Sequence, residues 1–413
     1  MPSPSPALFR CLVVVGLIAA SVAFSETSVR GVELSASDLK EIQRIEAALD
    51  DGTLPQPPGW WLNHGASPEG VKEFEAVGYP EPRAGLATVA WRAGGWAEYK
   101  LKVAGLLKSE DLVVRGFAAL WLADLGDRRY APDLLRLLQE KRSADPDGFP
   151  RGHDQAYAAI GLGVLGAREH ALALVAQLKN PDSAIRGGAA EGLGWMQATD
   201  HHKEIAALLE DDGREVALNA MVALARLGRT EYADRFVEIA AGDGLGLGRG
   251  IDDDRIALTA LVMLKAKDQA PKIAKLLERK DDYFKRVGAI QFLALLDCRD
   301  YAPQLVKLLD DKDYAIRQHA LVALGVLRQT ESTPRIAEFL KSEDRGLRQA
   351  AAWALIYMES APHLAQAVAV YDRFEIQQEG LDITRPDVEA RALKKRFEAA
   401  LGRAQAAVKT APK

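Results

Sequence analysis

Residues 313–327 read DYAIRQHALVALGVL, and the same pattern recurs along the chain. DLVVRGFAALWLADLGDRRYAPDLLRLL (111–138), DYFKRVGAIQFLALLDCRDYAPQLVKLL (282–309) and DYAIRQHALVALGVLRQTESTPRIAEFL (313–340) are one motif written three times. With the arginine of each copy as anchor, eight units fall at Arg115, Gln155, Arg186, Ala217, Ala257, Arg286, Arg317 and Arg348. Their spacings are 40, 31, 31, 40, 29, 31 and 31 residues. Three residues past every anchor stands Ala, and seven past every anchor stands Leu. A fixed period of this length is the signature of a stacked repeat array.

Each position has a physical reading. Asp four residues before the anchor, at 111, 182, 253, 282, 313 and 344, is placed to accept the free N–H groups that open a helix. The Ala and Leu lie four apart and share one helical face, and an Ile or Val before the anchor lengthens that stripe. Gly116, Gly161, Gly187, Gly192 and Gly288 weaken a helix interior, which points to close backbone approach by a neighbour. Pro132, Pro271, Pro303 and Pro334 mark the start of a second helix, where a missing N–H costs nothing. Each unit is therefore an antiparallel helix pair with one apolar face left over, and stacking covers it. The fold class that follows is all-α, an α-solenoid of stacked helix pairs.

The period and the pattern Asp-x-x-[Val/Ile]-Arg-x-x-Ala-x-x-Ala-Leu-Gly-x-Leu resemble the short HEAT-like repeats first named from phycobilin lyases. The resemblance covers about 111–370, and reaches back to 84 if RAGLATVAWRAGGWAEYKLKVAGLL is a degenerate first unit. It implies a fold more than a function, because such repeats build chromophore lyases, a di-iron hydroxylase and many binding scaffolds.

Composition narrows the function. Among 413 residues, 48% are hydrophobic but only 7% aromatic, the supply that an Ala- and Leu-built core needs. The 53 basic and 58 acidic residues leave a net charge of −5, which disfavours a nucleic acid partner. Two cysteines, Cys11 and Cys298, exclude a disulfide scaffold and a multi-cysteine metal site. Residues 1–25, MPSPSPALFRCLVVVGLIAASVAFS, have the layout of a secretory signal with cleavage after Ala23 or Ser25, a retained anchor being the alternative. A periplasmic or secreted bacterial protein is expected, with no stable membrane insertion after cleavage. Residues 26–80 read as an irregular cap with one helix from about Ser37 to Ala48. Within it Trp60-Trp61 either plugs the stack or offers an aromatic surface. From 371 the period is lost, and 386–408 reads as a capping helix followed by a loose tail.

Catalytic constellations are sparse. There is no His-Glu dyad for a di-iron centre, no Gly-Lys-[Ser/Thr] loop and no Gly-x-Ser-x-Gly elbow. Gly161-Leu-Gly-Val-Leu-Gly166 spells a dinucleotide fingerprint but falls in register with the repeat. His170 and His201 take the place of Tyr130, Tyr232 and Tyr301, a structural position at the inter-helix turn. No enzymatic activity, cofactor or metal is expected from these residues.

The two 40-residue spacings remain. Both insert QEKRSADPDGFPRGHD (139–154) and AGDGLGLGRGIDDD (241–254) between a second helix and the next first helix, on the same edge of the repeat. Insertions sharing an edge often build a binding face; free drift of loop length, which entropy hardly penalises, explains them as well. On the first reading the candidate partner-binding residues are Asp145, Asp147, His153, Asp243, Arg249 and Asp252. Arg136, Arg235, Lys275 and Lys307 join them from the second helices. The expected function is an exported, monomeric, non-catalytic scaffold for a protein partner, and the alternative is an enzyme or chromophore-handling protein of the same fold.

Overall fold

A computed structural model describes residues 34–51, 95–141, 152–242, 253–280, 282–371 and 388–410. The signal, Trp60-Trp61, and the candidate residues Asp145, Asp147, Asp243, Arg249 and Asp252 lie outside these residues. Among the described residues every regular element is helical, so the chain is all-α and built as an α-solenoid of helix pairs. It divides into two compact units, the first ending at Gly192 and the second beginning at Leu193.

In chain order the first unit holds α1 (Ala36–Asp51), α2 (Trp96–Gly105), α3 (Leu112–Asp124), α4 (Ala131–Leu138), α5 (His153–Val164), α6 (Ala171–Gln177) and the start of α7 (Ser183–Trp195). The second holds the end of α7, then α8 (His202–Ala206), α9 (Arg214–Arg226), α10 (Ala233–Ala241), α11 (Asp253–Met263) and α12 (Ala270–Ala274). It continues with α13 (Tyr283–Leu295), α14 (Ala302–Lys307), α15 (Tyr314–Val326), α16 (Thr333–Glu338), α17 (Arg345–Tyr357), α18 (Leu364–Val370) and α19 (Val388–Thr410). The long first helices carry the Ala and Leu stripe. The second helices are short, entered through a 3-10 turn and often left through another.

Helix starts follow the expected chemistry. Asp111, Asp182, Asp282, Asp313 and Asp344 each accept a backbone N–H from the first turn of the helix that follows. A second layer escaped the sequence reading. Two residues earlier, the side chains of Ser109, Asn180, Asp211, Asp311 and Ser342 accept the N–H of the capping position, at 2.8 to 3.2 Å. The anchor arginine closes the same turn: Arg186, Arg317 and Arg348 each donate Nη1 to two successive carbonyls of the segment before the helix. Its charge strengthens bonds to carbonyls that no helix satisfies.

One unit is out of register with the sequence reading. Every other first helix ends nine residues past its anchor and is followed, two residues on, by a left-handed residue: Gly126, Gly166, Gln197, Gly228, Asp297, Arg328 or Glu359. In the fifth unit the helix ends at Met263 and the left-handed residue is Lys265, so its anchor is Asp254 and not Ala257. The spacings around it become 37 and 32 in place of 40 and 29. Asp253 therefore lies inside the helix as its first residue and is not its cap.

Close approach explains the glycines. In the first unit a Cβ on Gly163 would strike the backbone of Gly192, and one on Gly188 would lie 2.6 Å from Ala156 Cα. In the second, Gly194 and Gly325 face the Cα atoms of Ala223 and Ala354 in the same way, at 2.7 and 2.8 Å. At the start of the first unit, Ile42 and Ile45 of α1 join Trp96, Tyr99, Phe117 and Trp121 in one buried cluster, where Trp121 Nε1 donates to Tyr99 Oη at 2.8 Å. At the end of the second, α19 lays Phe397 on Trp353 with ring centroids 5.0 Å apart.

Candidate functional site

The position just before the anchor lies on the buried stripe. It is Val114, Ile185, Val216, Ile316 and Leu347 in five units, all buried. With the corrected register the remaining three are Asp154, Asp253 and Lys285, equally buried. Asp154 and Asp253 follow the two long connections directly. Charges so placed cost several kcal/mol each to desolvate unless they are paired.

In the first unit the pairing is tight. Arg115 donates Nε and Nη2 to Asp154 Oδ2 at 3.0 and 2.8 Å, and the Asp154 side chain has no exposure. The same guanidinium reaches Glu140 Oε2 at 2.6 Å. Gln155, standing where other units carry arginine, donates Nε2 to the carbonyls of Leu138 and Glu140, and Asp182 accepts the N–H of Gly152 at 3.0 Å. Both ends of the first long connection are thus held by side chains of the repeats.

The second unit repeats the device with other residues. Arg214 Nε lies 3.2 Å from Asp253 Oδ2. The fully buried Lys285 places Nζ 3.3 Å from Asp282 Oδ2 and 3.8 Å from Asp254 Oδ2. That Nζ also occupies the space a side chain at Gly242 would need, and Gly242 ends α10 in the left-handed region at φ 84°. The residues bounding the second connection on either side, Gly242 and Asp253, therefore rest on buried charge too.

The candidate cations lie apart from these clusters. Arg136 is exposed, pairs with Asp133 at 2.8 Å and lines a groove of about 590 Å³ with Leu101, Ala104, Leu107 and Leu137. Half-buried Arg235 bridges Glu210 and Glu238, both at 3.0 Å, and Arg335 bridges Asp310 and Glu338 in the same manner. Lys275 and Lys307 are exposed at equivalent positions of successive units, and half-buried His153 opens α5. The sequence reading does not reach Arg115, Arg214 or Lys285: the aliphatic residue before the anchor is visibly replaced at Asp154 and Lys285, but at the fifth unit Ile256 precedes the expected anchor Ala257 and hides Asp253.

The turn edge is structural. His170, His201, Tyr130, Tyr232 and Tyr301 all close the 3-10 turn before a second helix, and His202 Nδ1 lies 3.1 Å from Tyr232 Oη. Arg226 stacks 3.7 Å over Trp195, and burial pushes its guanidinium down to about 10. Burial likewise pushes the Cys298 thiol up. Among the described residues no three His, Cys, Asp or Glu side chains gather to hold a metal ion, and no helix is long and apolar enough to cross a membrane.

Comparison with known proteins agrees on the repeat. The HEAT repeats profile matches residues 255–356, and the PBS lyase HEAT-like repeat profile matches 114–140. No curated protein matches the chain. Among solved structures, the CpcE–CpcF complex of phycocyanin lyase from Nostoc sp. PCC7120 is 20% identical at a TM-score of 0.31, covering 73% of this chain and 94% of that one. YibA of Escherichia coli is 16% identical at 0.40, covering 65% and 92%. Human deoxyhypusine hydroxylase in complex with glycerol is 15% identical at 0.27, covering 78% and 98%. The expectation of a chain without enzymatic activity is corrected here: the profile that matches 114–140 is one named for a lyase repeat. The repeat register, the stacked pairs and both profile matches make this chain a HEAT-like repeat protein.

Proposed function

We propose that this chain is an exported scaffold that binds a protein partner through the edges carrying connections 139–154 and 241–254. One observation carries the reading. The apolar residue before the anchor is replaced by a buried aspartate in the two units that follow a long connection, and each aspartate faces an arginine of the preceding unit. Buried ion pairs are a poor source of stability compared with the aliphatic residues they displace. Loop drift alone gives no reason to keep them, whereas a connection that must be presented in a set position does. Asp145, Asp147, His153, Asp243, Arg249 and Asp252 are the side chains these connections would offer, with Arg136, Arg235, Lys275 and Lys307 as further candidates on the second helices. The N-terminal segment motivates export, and the mass of the product from its native host tests that part: a chain still beginning at Met1 refutes cleavage.

The binding claim is tested by photo-crosslinking in an envelope extract, with the crosslinker at His153 or Lys280 on the loop-bearing edge and at Arg168 or Arg299 on the turn edge. Crosslinks to one discrete protein from the first pair, and none from the second, support the reading. Equal labelling from both edges overturns it. The PBS lyase repeat match over 114–140 favours a second reading, in which the same edge handles a chromophore. A visible absorption band in protein purified from its native host would favour that one.

A further inference from the structure

Within the second unit the first helices α7, α9, α11, α13, α15 and α17 end on Trp195, Arg226, Met263, Leu295, Val326 and Tyr357. Only Arg226 is charged. The His and Tyr positions of this edge close turns, but a turn here does not require a cation, because the other five helices end without one. Arg226 lays its guanidinium 3.7 Å over the ring of Trp195, the end of the preceding first helix. Its backbone is fixed from the same side: Gln197 Nε2 donates to the carbonyls of Arg226 and Gly194, each at 3.1 Å. Nearby in sequence, Arg229 Nη2 donates to the Thr199 carbonyl at 2.7 Å.

What this guanidinium lacks is an oxygen. Arg115, Arg235 and Arg286 hold carboxylates, and Arg186, Arg317 and Arg348 hold carbonyls. Arg226 Nε is buried and meets no acceptor, and among the described residues no ion pair reaches the half-buried side chain. Burial alone sets its titration, so neither Asp200 of the preceding turn nor Glu231 of the following one serves as its counterion. Glu231 instead lies 4.0 Å from Arg229 and 3.7 Å from His202. The Trp195 ring attracts the cation through its face, but it offers no acceptor to the N–H groups that point outward in the guanidinium plane. A cation withdrawn from water without an anion is unfavourable, and a bound anion removes that cost. One positive charge on a planar fork matches a carboxylate, with one charge and two oxygens. A phosphate dianion calls for a second cation, and Arg229 is already committed to Thr199 and Glu231.

We infer that Arg226, stacked on Trp195, is a binding subsite for the carboxylate of a small organic acid. It lies where first helices end, away from the loop-bearing edge where they begin, and does not depend on the partner surface proposed there. The test is fluorine NMR on the full chain with 4-(trifluoromethyl)phenylacetate, and with the corresponding amide as its uncharged counterpart. The acid binds saturably and the amide does not. Arg226→Met lowers the affinity about tenfold or more, and Arg226→Lys, which keeps the charge without the fork, lowers it less. Circular dichroism checks that both variants fold; Arg226→Met only removes an unpaired charge, and Arg226→Lys retains it. No saturable binding by the parent, equal binding of acid and amide, or folded Arg226→Met or Arg226→Lys chains that bind the acid as the parent does, overturns the inference. Inorganic phosphate that displaces the acid at lower concentration than acetate does overturns the carboxylate assignment as well.

Discussion

Arg115 and Asp154 stand 39 residues apart in sequence, yet Arg115 donates two hydrogen bonds to one carboxylate oxygen of an aspartate with no exposure. The pair joins the anchor of one unit to the buried stripe of the next across a long connection. In five other units that stripe position is Val, Ile or Leu, so the ionic pair stands in for a hydrophobic contact that those units make.

Asp154→Ala leaves the Arg115 charge with only the half-exposed Glu140, and a broken buried pair costs about 3 kcal/mol. The double variant R115M/D154V, which restores the stripe, recovers most of that loss. Urea midpoints of the two variants against the parent check both statements.

The left-handed residue after each first helix sets a second expectation. Lys265 holds φ at 53° with a side chain, where Gly228 does the same work without one. Lys265→Gly raises stability by about 0.5–1 kcal/mol, and Gly228→Gln lowers it by about 1 kcal/mol. Thermal unfolding of the two variants, which shift in opposite directions, is the measurement.

Two glycines within helices have opposite outcomes. Gly163→Ala drives a methyl into the backbone of Gly192, which cannot give as a flexible side chain would, and costs about 2 kcal/mol or more. Gly402→Ala in α19 meets nothing within 4 Å and adds about 0.5–1 kcal/mol through helix propensity. Denaturant titration distinguishes a packing glycine from an idle one.

Acid sensitivity begins above the carboxylate range. Burial pushes the His319 imidazole down to about 4, against a smaller opposing effect of Asp313. An unfolded imidazole takes its proton near pH 6.5 while the folded one stays neutral, so the contribution is complete above 6.5 and lost as pH falls towards 4. The loss is about 3 kcal/mol over that interval. His319→Gln flattens the profile there. Asp311 and Glu359, held low by Arg286 and Arg403, begin to withdraw their support as pH falls through the usual carboxylate value and lose it below that value, so their effect lies mainly at lower pH than that of His319. Urea midpoints between pH 7 and 4.5 for parent and variant decide it.

Much of the fold was legible because its cause is local. The aspartate caps, the prolines opening second helices and the glycines of close approach each act within a few residues or between equivalent positions of neighbouring units, so a period exposes them. The candidate site was legible only in part. Arg136, Arg235, Lys275 and Lys307 read as exposed cations in the sequence, and in the structure Arg136 and Arg235 are engaged by carboxylates of their own surface. The buried charges were passed over because burial depends on what a neighbouring helix covers.

Sequence alone determined that this protein is a stack of helix pairs, since eightfold Ala and Leu spacing permits no other arrangement of apolar faces. Only the tertiary structure decided the fifth register. Ala257 with Leu261 and Ala260 with Leu264 satisfy the spacing equally, because residues three apart lie on the same face of one helix. The helix end at Met263 and the left-handed turn at Lys265 choose the first pair. That choice places Asp253 in the buried stripe and Asp254 at the anchor beside Lys285. A spacing rule counts residues along one chain, whereas the contact between a buried lysine and an aspartate in the preceding repeat exists only once the helices are packed.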